Sequence, residues 1–197
     1  MKLRELTGYH DTPIQGVVDK AKAEFSGGKK FKDGDAFNNF YDYIKHHGFT
    51  RVGSGMNADV YEKEGYPWLF KVFSGDPAYL SYYKYCRVNQ GNPHVPRVKG
   101  GLRKIAGTTY CVQIEKLNPL PASGGKFVDT LRNAAFGLVD DDAFDVYEHS
   151  INQIASKFPD LIKLLRDLSA FRNYTFDIDE SNVMMRGVMP VLTDPFA

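Results

Sequence analysis

The sequence predicts an α+β fold in which a small β-rich part is followed by a helical part. Short runs of β-type residues, each bounded by glycine or aspartate, fill residues 49–73 and recur near residues 95–117. Apolar residues three and four positions apart then dominate residues 126–170, which is the spacing of amphipathic helices. A chain of 197 residues can form one core or two small domains. We expect an N-terminal arm at 1–34, a first domain at 35–117 and a second at 118–197.

The composition is that of a globular protein without a dominant charge. Apolar residues make up 43% and charged residues 25%, and the formal net charge is +1. This balance predicts no general attraction to nucleic acid or to an anionic membrane. Cys86 and Cys111 lack CxxC spacing, so a zinc site is not expected. The N-terminus lacks the apolar core of a signal peptide, and no apolar run has the roughly 18 residues of a membrane span, so we expect a cytoplasmic protein.

The N-terminal arm is weakly specified. Residues 11–25 have a modest helical pattern, and the glycine- and lysine-rich residues 27–34 are typical of a connection. The next segment, DAFNNFYDYIKHH, has apolar positions at helical intervals, with Asp35 as a candidate N-cap and Gly48 as a stop. We therefore predict an amphipathic helix that packs on the strands after it.

The first domain then continues as three strands, a helix and two strands. FTRVGSG, ADVYEKEG and YPWLFKVFSG are predicted as antiparallel strands because turn residues bound each of them. PAYLSYYKYCRVN places Tyr79, Tyr82, Tyr83 and Cys86 on one helical face. VPRVKGGLRKIAGTTYCVQIEKL returns to strands with a glycine-bearing hairpin.

The second domain begins after LNPLPASGG, a proline- and glycine-containing segment that is typical of a hinge. KFVDTLRNAAFGLV, DDAFDVYEHSINQIASKF and DLIKLLRDLSAF are predicted helices, and Pro159 separates the last two. VMMR and MPVL then form a predicted strand hairpin near the end of the sequence.

The first candidate site is the glycine turn GSGMNADVYE at residues 53–62. Glycines between two strands let backbone amides approach phosphate oxygens without an obstructing Cβ, and Ala58 keeps the third position small. By itself this pattern is more often an ordinary glycine hairpin.

The second candidate is Lys71 in LFKVF. A lysine among apolar residues on a half-buried strand is costly unless its ammonium meets an anion. The alternative is an exposed lysine that reaches solvent from an edge strand.

The third candidate is the set Asp177, Asn182 and Asp194. An Asn carbonyl and an Asp carboxylate across a hairpin are the hard oxygen ligands that magnesium prefers, and a separate carboxylate can accept a hydroxyl proton. The alternative is that DIDES is a polar turn and TDP a strand end.

Together these motifs occur in the order and spacing of the protein-kinase signature: glycine turn, strand lysine, the strand ending IEKL, D-x-x-x-x-N and a final Asp. The chain resembles the protein-kinase superfamily. GFTRVGSGMNADVY, FKVF, TFDIDESNVMM and VLTDP are most similar to the kinase domain of the early serine/threonine protein kinases of short-tailed, autographivirus-type coliphages. The resemblance implies a bilobal fold, with an antiparallel β-sheet N-lobe and a minimal, truncated helical C-lobe.

The resemblance also implies an activity and its site. It implies phosphorylation of host proteins in the host cytoplasm with ATP and Mg²⁺, without nucleic-acid or membrane partners, and it leaves the oligomeric state, including a dimer, open. Asp177 would be the catalytic base, Asn182 and Asp194 the metal ligands, and Lys71 a catalytic and phosphate-binding residue. The nucleotide-binding residues implied are Gly53, Ser54, Gly55, Asn57, Ala58, Val60, Lys71, Glu115 and Leu117. Arg186, and Lys116 by the hinge, are expected to face solvent rather than to be catalytic.

Several positions depart from the family pattern. Thr175-Phe176 replaces the usual His-Arg, and Asp194-Pro195-Phe196 replaces Asp-Phe-Gly. The helix at 77–89 has no Glu to pair with Lys71, so Asp76, Glu62, the nucleotide phosphates or Asp194 would have to serve. No activation segment follows Ala197 in this sequence. We expect a protein substrate to be held by residues 126–170, by the N-terminal arm or by a second chain.

Two other functions fit these departures. One is a pseudokinase that binds and inhibits a host protein, because a fold does not by itself establish an activity. The other is a small-molecule kinase of the aminoglycoside or choline type, which shares D-x-x-x-x-N and a terminal Asp but normally needs a larger helical lobe.

Overall fold

A computed structural model describes residues 12–26 and 34–196. Within these ranges the chain forms helices and two antiparallel sheets, the α+β architecture that the sequence predicts. The helices are α1 (Thr12–Glu24), α2 (Gly34–His46), α3 (Pro77–Val88), α4 (Gly125–Val139), α5 (Phe144–Lys157) and α6 (Pro159–Ser169). The strands are β1 (Phe49–Ser54), β2 (Ala58–Lys63), β3 (Trp68–Ser74), β4 (Val98–Ala106), β5 (Thr109–Glu115), β6 (Asn118–Pro119), β7 (Val183–Arg186) and β8 (Met189–Leu192). This set of elements is compatible with a small bilobal kinase-like fold.

The chain divides into two compact units. The first contains the residues up to Asp76 and Lys99–Ile114, and the second contains Pro77–Val98 and Glu115–Ala197. This division differs from the predicted domains because α3 belongs to the second unit. Tyr82 of α3 donates its hydroxyl hydrogen to the carbonyl of Leu192 at 2.6 Å, and Tyr85 donates to Asp167 at 2.7 Å. Such pairings are invisible in the local sequence pattern.

The first unit is built on a sheet with the order β1-β2-β3-β5-β4 in the described part of the chain. One face of this sheet is covered by α1 and α2, and the shared core is apolar. Phe40 of α2 lies edge-on to Tyr61 of β2, with ring centroids 6.3 Å apart. α2 forms because its apolar positions fall on one side, and Gly48 ends it in a left-handed conformation with φ of 79°.

Helix α1 belongs to this core, although the sequence analysis expected only a weakly specified arm. Five apolar residues of residues 12–26 are buried, and apart from the adjacent pair Val17 and Val18 they follow one another at three or four positions: Ile14, Val17, Val18, Ala21 and Phe25. Phe25 packs edge-on against Phe40 at 5.6 Å between ring centroids. Burying side chains of this size stabilises the fold by about 1.5–3 kcal/mol each. The predicted connection at 27–34 lies outside the described residues, except for Gly34.

The second unit contains α3, α4, α5 and α6 together with a small sheet. α4, α5 and α6 bury their apolar stripes, and Pro159 occupies the first position of α6, where its missing N–H costs nothing. Strands β7 and β8 form the predicted hairpin around Gly187, whose φ is 61°. The segment predicted as a hinge contributes β6, which pairs with β7 through Asn118 and Met185.

In the described ranges, every helix is too short or too polar to cross a membrane.

Candidate active site

The glycine turn joins β1 to β2. A β-bulge between Arg51 and Gly53 shifts the register, so that Gly53 lies opposite Val60. The N–H of Gly55 donates to the carbonyl of Ala58 at 2.8 Å and closes the turn. A Cβ on Gly53 would lie 3.6 Å from Val60, and one on Gly55 would lie 3.9 Å from the Ala58 carbonyl, which are ordinary contacts. The fold itself therefore does not require either glycine, whereas close approach of a ligand to the backbone would.

Ser54 and Asn57, two further predicted residues of this loop, are accessible, whereas Ala58 and Val60 are half-buried. Ser54, Asn57 and the intervening Met56 are exposed, and Met56 is 92% exposed. The backbone of Asn57 is bonded to the end of β3, since its carbonyl accepts the Ser74 N–H at 2.9 Å. The residues at the tip of the loop are therefore exposed, while Gly55 and Asn57 are held by backbone hydrogen bonds.

Lys71 lies on β3, which is an interior strand between β2 and β5. Its side chain is buried, with only 6% of its surface exposed. The alternative of an exposed lysine on an edge strand is therefore wrong. Phe70 and Val72 point into the core beneath α1 and α2, so Lys71 points to the opposite face. Lys71 of β3 is paired with Val60 of β2, and Val60 is paired with Gly53 of β1. Lys71 and Val60 therefore lie on the same face of the sheet, in line with the glycine turn.

The predicted base and the first predicted metal ligand are in direct contact. The Asn182 side-chain nitrogen Nδ2 donates to the main-chain carbonyl of Asp177 at 2.9 Å and to its carboxylate Oδ2 at 3.3 Å. Because Nδ2 is occupied by these bonds, the amide oxygen Oδ1 of Asn182 is turned away from Asp177. The Asp177 side chain is exposed, as a group that meets a substrate hydroxyl must be.

The second predicted metal ligand is brought to the same place by backbone bonds. Thr193 donates its N–H to the Asn182 carbonyl at 2.9 Å, and Asp177 donates its N–H to the Pro195 carbonyl at 2.8 Å. Asp194 lies between Thr193 and Pro195, so its position is fixed on both sides. The structure thus assembles Asp177, Asn182 and Asp194 in the second unit.

Asp179 shapes the loop between them, a role that the sequence analysis missed. Its Oδ1 accepts the N–H of Ser181 at 2.7 Å, the hydroxyl of Ser181 at 2.7 Å and the N–H of Asn182 at 2.9 Å. An aspartate that bonds backbone N–H groups two and three residues later forms a local turn. The D-x-S-N order is the signal that could have identified it.

Arg132 of α4 supports the same loop from the helical side. Its Nε donates to the Ile178 carbonyl at 2.8 Å, and its Nη1 bonds Asp129 at 2.9 Å. Ile178 is buried directly after Asp177. No local sequence signal indicates Arg132, because 46 residues separate it from its partner.

Phe196 anchors the chain after Asp194. It forms an isolated antiparallel bridge with Phe176, and their rings stack at 5.6 Å. Tyr82, Phe171 and Tyr174 also contact its ring at 5.5–6.3 Å. Although Asp194-Pro195-Phe196 departs from Asp-Phe-Gly, its aromatic residue still enters a buried cluster.

Arg186 does not face solvent, and that prediction is wrong. Its side chain is 24% exposed and is paired with Glu115, the predicted adenine-binding residue. The N–H of Glu115 donates to the Arg97 carbonyl at 3.0 Å. Leu117 is buried, and Lys116 between them is exposed.

The oxygen groups of Asn182 and Asp194 in the second unit fit a magnesium ion. Asn182 offers its side-chain oxygen Oδ1, whose direction is set by the hydrogen bonds that Nδ2 makes to Asp177. Asp194 offers a carboxylate two residues after the end of β8. Magnesium with nucleotide phosphates commonly takes one or two protein oxygen ligands and fills its other positions with water and phosphate. A pair of oxygen donors is therefore sufficient for this chemistry.

The fold is compatible with a phosphotransferase of the kinase type. Residues 14–197 match the family model described as bacteriophage T7 protein kinase 0.7, and the chain belongs to that family. It is therefore a phage kinase, as the resemblance to coliphage kinases predicted. The wider relation to the protein-kinase superfamily stays a prediction. A comparison with curated proteins gives no match.

Proposed function

We propose that this phage kinase is an ATP- and Mg²⁺-dependent serine/threonine protein kinase that phosphorylates host proteins in the host cytoplasm. The observation that carries the proposal is the contact between Asn182 and Asp177. In this contact a surface carboxylate lies beside a side-chain amide, whose oxygen is a type of ligand that magnesium accepts. An acceptor for a hydroxyl proton and a metal ligand at this separation are the parts that phosphoryl transfer requires.

Asp177 accepts the proton of the substrate serine or threonine hydroxyl as that oxygen forms its bond to the γ-phosphorus. The bond between the γ-phosphorus and the β,γ-bridging oxygen breaks in the same step, and ADP leaves with that oxygen. The Nδ2 bond from Asn182 holds the carboxylate in one orientation. When bound through Asn182 and Asp194, magnesium supplies charge neutralisation of the phosphate oxygens. Arg132 and Asp179 hold the backbone of this loop, so little rearrangement is needed during the reaction.

The nucleotide is assigned to residues of the first unit and to the end of β5. The amides of Ser54–Ala58 bind phosphate oxygens, with Gly53, Asn57 and Val60 shaping the loop. Lys71 supplies a positive charge for phosphate from a buried position on the sheet. The Glu115 carbonyl and the Leu117 N–H bind the adenine edge.

The test is transfer of labelled phosphate from ATP to a host lysate, and to the kinase itself, with and without Mg²⁺. Lys71→Met, Asp177→Asn and Asp194→Asn should each remove the label. Matched controls are Lys104→Met and Asp145→Asn, because both residues are exposed and lie outside the candidate site. Phosphoamino-acid analysis of labelled protein should show phosphoserine or phosphothreonine.

Two outcomes would overturn parts of this proposal. Full labelling by Asp177→Asn would remove Asp177 as the base. If the wild type transfers no phosphate, while one host protein copurifies in stoichiometric amount with wild type and Asp177→Asn alike, the chain acts by binding and the pseudokinase alternative holds.

A further inference from the structure

Arg186 and Glu115 form a largely buried ion pair between the ends of β7 and β5. Their side chains are 24% and 12% exposed. Arg186 Nε donates to Glu115 Oε2 at 3.0 Å, and Nη2 donates to Oε1. The pairing is therefore bidentate, which matches the planar fork of a guanidinium to a carboxylate.

The same two side chains hold the segment 93–97 that precedes β4. Arg186 donates to the carbonyls of Pro93 at 2.6 Å and Val95 at 2.9 Å. The Glu115 carboxylate accepts a hydrogen bond from the N–H of Arg97 at 2.7 Å. The backbone N–H of Glu115 donates to the Arg97 carbonyl at 3.0 Å. All three nitrogens of the guanidinium and both carboxylate oxygens are thus occupied.

The segment is also bonded to β8. Leu192 donates its N–H to the His94 carbonyl at 3.0 Å, and His94 Nδ1 bonds the Pro190 carbonyl at 2.6 Å. β7 begins directly after Asn182, and β8 ends two residues before Asp194. One connected network in the second unit therefore joins the end of β5 to the hairpin that carries both candidate metal ligands.

We propose that Arg186 is a positioning residue for ATP. Through Glu115 it holds the adenine-binding end of β5 at a fixed distance from the metal-binding hairpin. The inference rests on the proposed function, since it takes Glu115 and Leu117 as the backbone that meets adenine. Arg186 itself touches neither substrate nor cofactor in this assignment, so its effect is on ATP affinity and not on the transfer step.

Removing the guanidinium leaves the Glu115 carboxylate largely buried with only the Arg97 N–H as partner. A partly desolvated carboxylate in that state is unfavourable, so the end of β5 will rearrange to reach water. Lysine is a poor replacement because an ammonium lacks the planar fork that bonds both carboxylate oxygens and two carbonyls at once.

The experiment measures KM for ATP and kcat in the full chain for wild type, Arg186→Lys and Arg186→Met. We expect KM to rise about tenfold or more in both variants, with kcat changed by less than about threefold, as expected for a loss of ground-state binding. Inhibition by inorganic tripolyphosphate with Mg²⁺ should be unchanged, because tripolyphosphate has no adenine. Arg166→Lys and Arg166→Met are the matched controls, since Arg166 is exposed on α6.

A double variant separates positioning from simple loss of folding. The double variant Glu115→Gln/Arg186→Met also removes the Glu115 carboxylate that Arg186→Met leaves without its guanidinium partner. The KM for ATP of the double variant should therefore lie closer to the wild-type value than the KM of Arg186→Met alone. Thermal unfolding of each variant shows whether the protein is folded at the assay temperature.

The proposal and the proposed function can fail separately. An active wild type with unchanged KM in both Arg186 variants overturns the positioning role alone. Equal weakening of ATP and tripolyphosphate also overturns it, because the defect is then not specific to adenine. A wild type that neither binds ATP nor transfers phosphate overturns the proposed function and this inference with it.

Discussion

The side-chain amide of Asn182 donates to both the main-chain carbonyl and the carboxylate of Asp177, at 2.9 and 3.3 Å. One donor group therefore orients the predicted base and, by the same bonds, sets the direction of its own amide oxygen. The two predicted functions, proton acceptance and metal binding, depend on each other through this contact.

Asn182→Asp tests that dependence with almost no change of shape. The new carboxylate faces Asp177 where a donor stood, and two like charges at this distance repel. We expect phosphoryl transfer to fall by at least about a hundredfold. Labelled-phosphate transfer checks this, beside Asn152→Asp on the exposed side of α5 as control. Transfer at the wild-type rate would show that the amide donor is dispensable.

Arg132→Met should slow the reaction without unfolding the protein. Loss of the Nε bond frees the Ile178 carbonyl and the loop that carries Asp177. Small displacements of a reacting group are costly, so we expect kcat to fall by about tenfold to a hundredfold. Steady-state kinetics with Asp129→Asn alongside separates this bond from the ion pair that Arg132 makes with Asp129. If Asp129→Asn is equally slow, the ion pair and not the Ile178 bond matters.

Gly137→Ala should destabilise the second unit. A Cβ at this position would lie 2.8 Å from Cβ of Tyr147, where α4 and α5 approach each other. The overpacking cost of about 1–3 kcal/mol exceeds the helix-propensity gain of about 1 kcal/mol. Urea unfolding followed by circular dichroism measures the difference. Gly91→Ala is the control because a Cβ there meets nothing within 4 Å. A gain in stability at Gly137 would mean that the helices separate easily.

Phe25→Ala should reveal α1 as part of the core. Phe25 is fully buried against Phe40, so its truncation should lower the free energy of unfolding by about 3–5 kcal/mol. The neighbouring Ser26 is exposed, and Ser26→Ala should change the free energy of unfolding by about 0.5 kcal/mol or less. Similar values for both variants in denaturant titrations would show that α1 contributes little to stability.

His94 should make the protein less stable in mild acid. Burial lowers the pKa of His94 below its usual value, and the positive charge of Arg186 lowers this pKa further. The bond to the Pro190 carbonyl and the charge of Asp160 raise the pKa, but they only partly offset the effect of burial. The unfolded chain therefore takes up a proton more readily, near pH 6.5, than the folded chain does. The stabilising contribution is complete above about pH 6.5 and is lost as the pH falls toward the folded pKa.

Unfolding free energies between about pH 7 and pH 5 test this. The decline should be shallower in His94→Gln than in wild type. His149→Gln, an exposed change on α5, should keep the wild-type slope. Parallel curves for wild type and His94→Gln would show that His94 does not contribute to the acid sensitivity.

The elements of this fold are largely predictable because their signals are local. The apolar spacing in α2 and α6, the alternation in β2 and the turn at Gly48 each depend on residues within a few positions of one another. The same holds for the glycine turn and for the D-x-x-x-x-N spacing. β6 was missed because a two-residue strand has no periodicity, and it exists only through its pairing with β7.

The sequence by itself determined the fold class, the order of the elements and the membership of a phage kinase family, because periodicity and motif order are properties of the chain. Only the tertiary structure decided which distant groups meet. It placed Arg186 on Glu115 across 71 residues, Tyr82 on the end of β8 and Arg132 behind Asp177. Side chains of this kind have no fixed partner in an extended chain. Their bonds form only once packing has brought both groups out of water, where an unpaired charge or donor is costly.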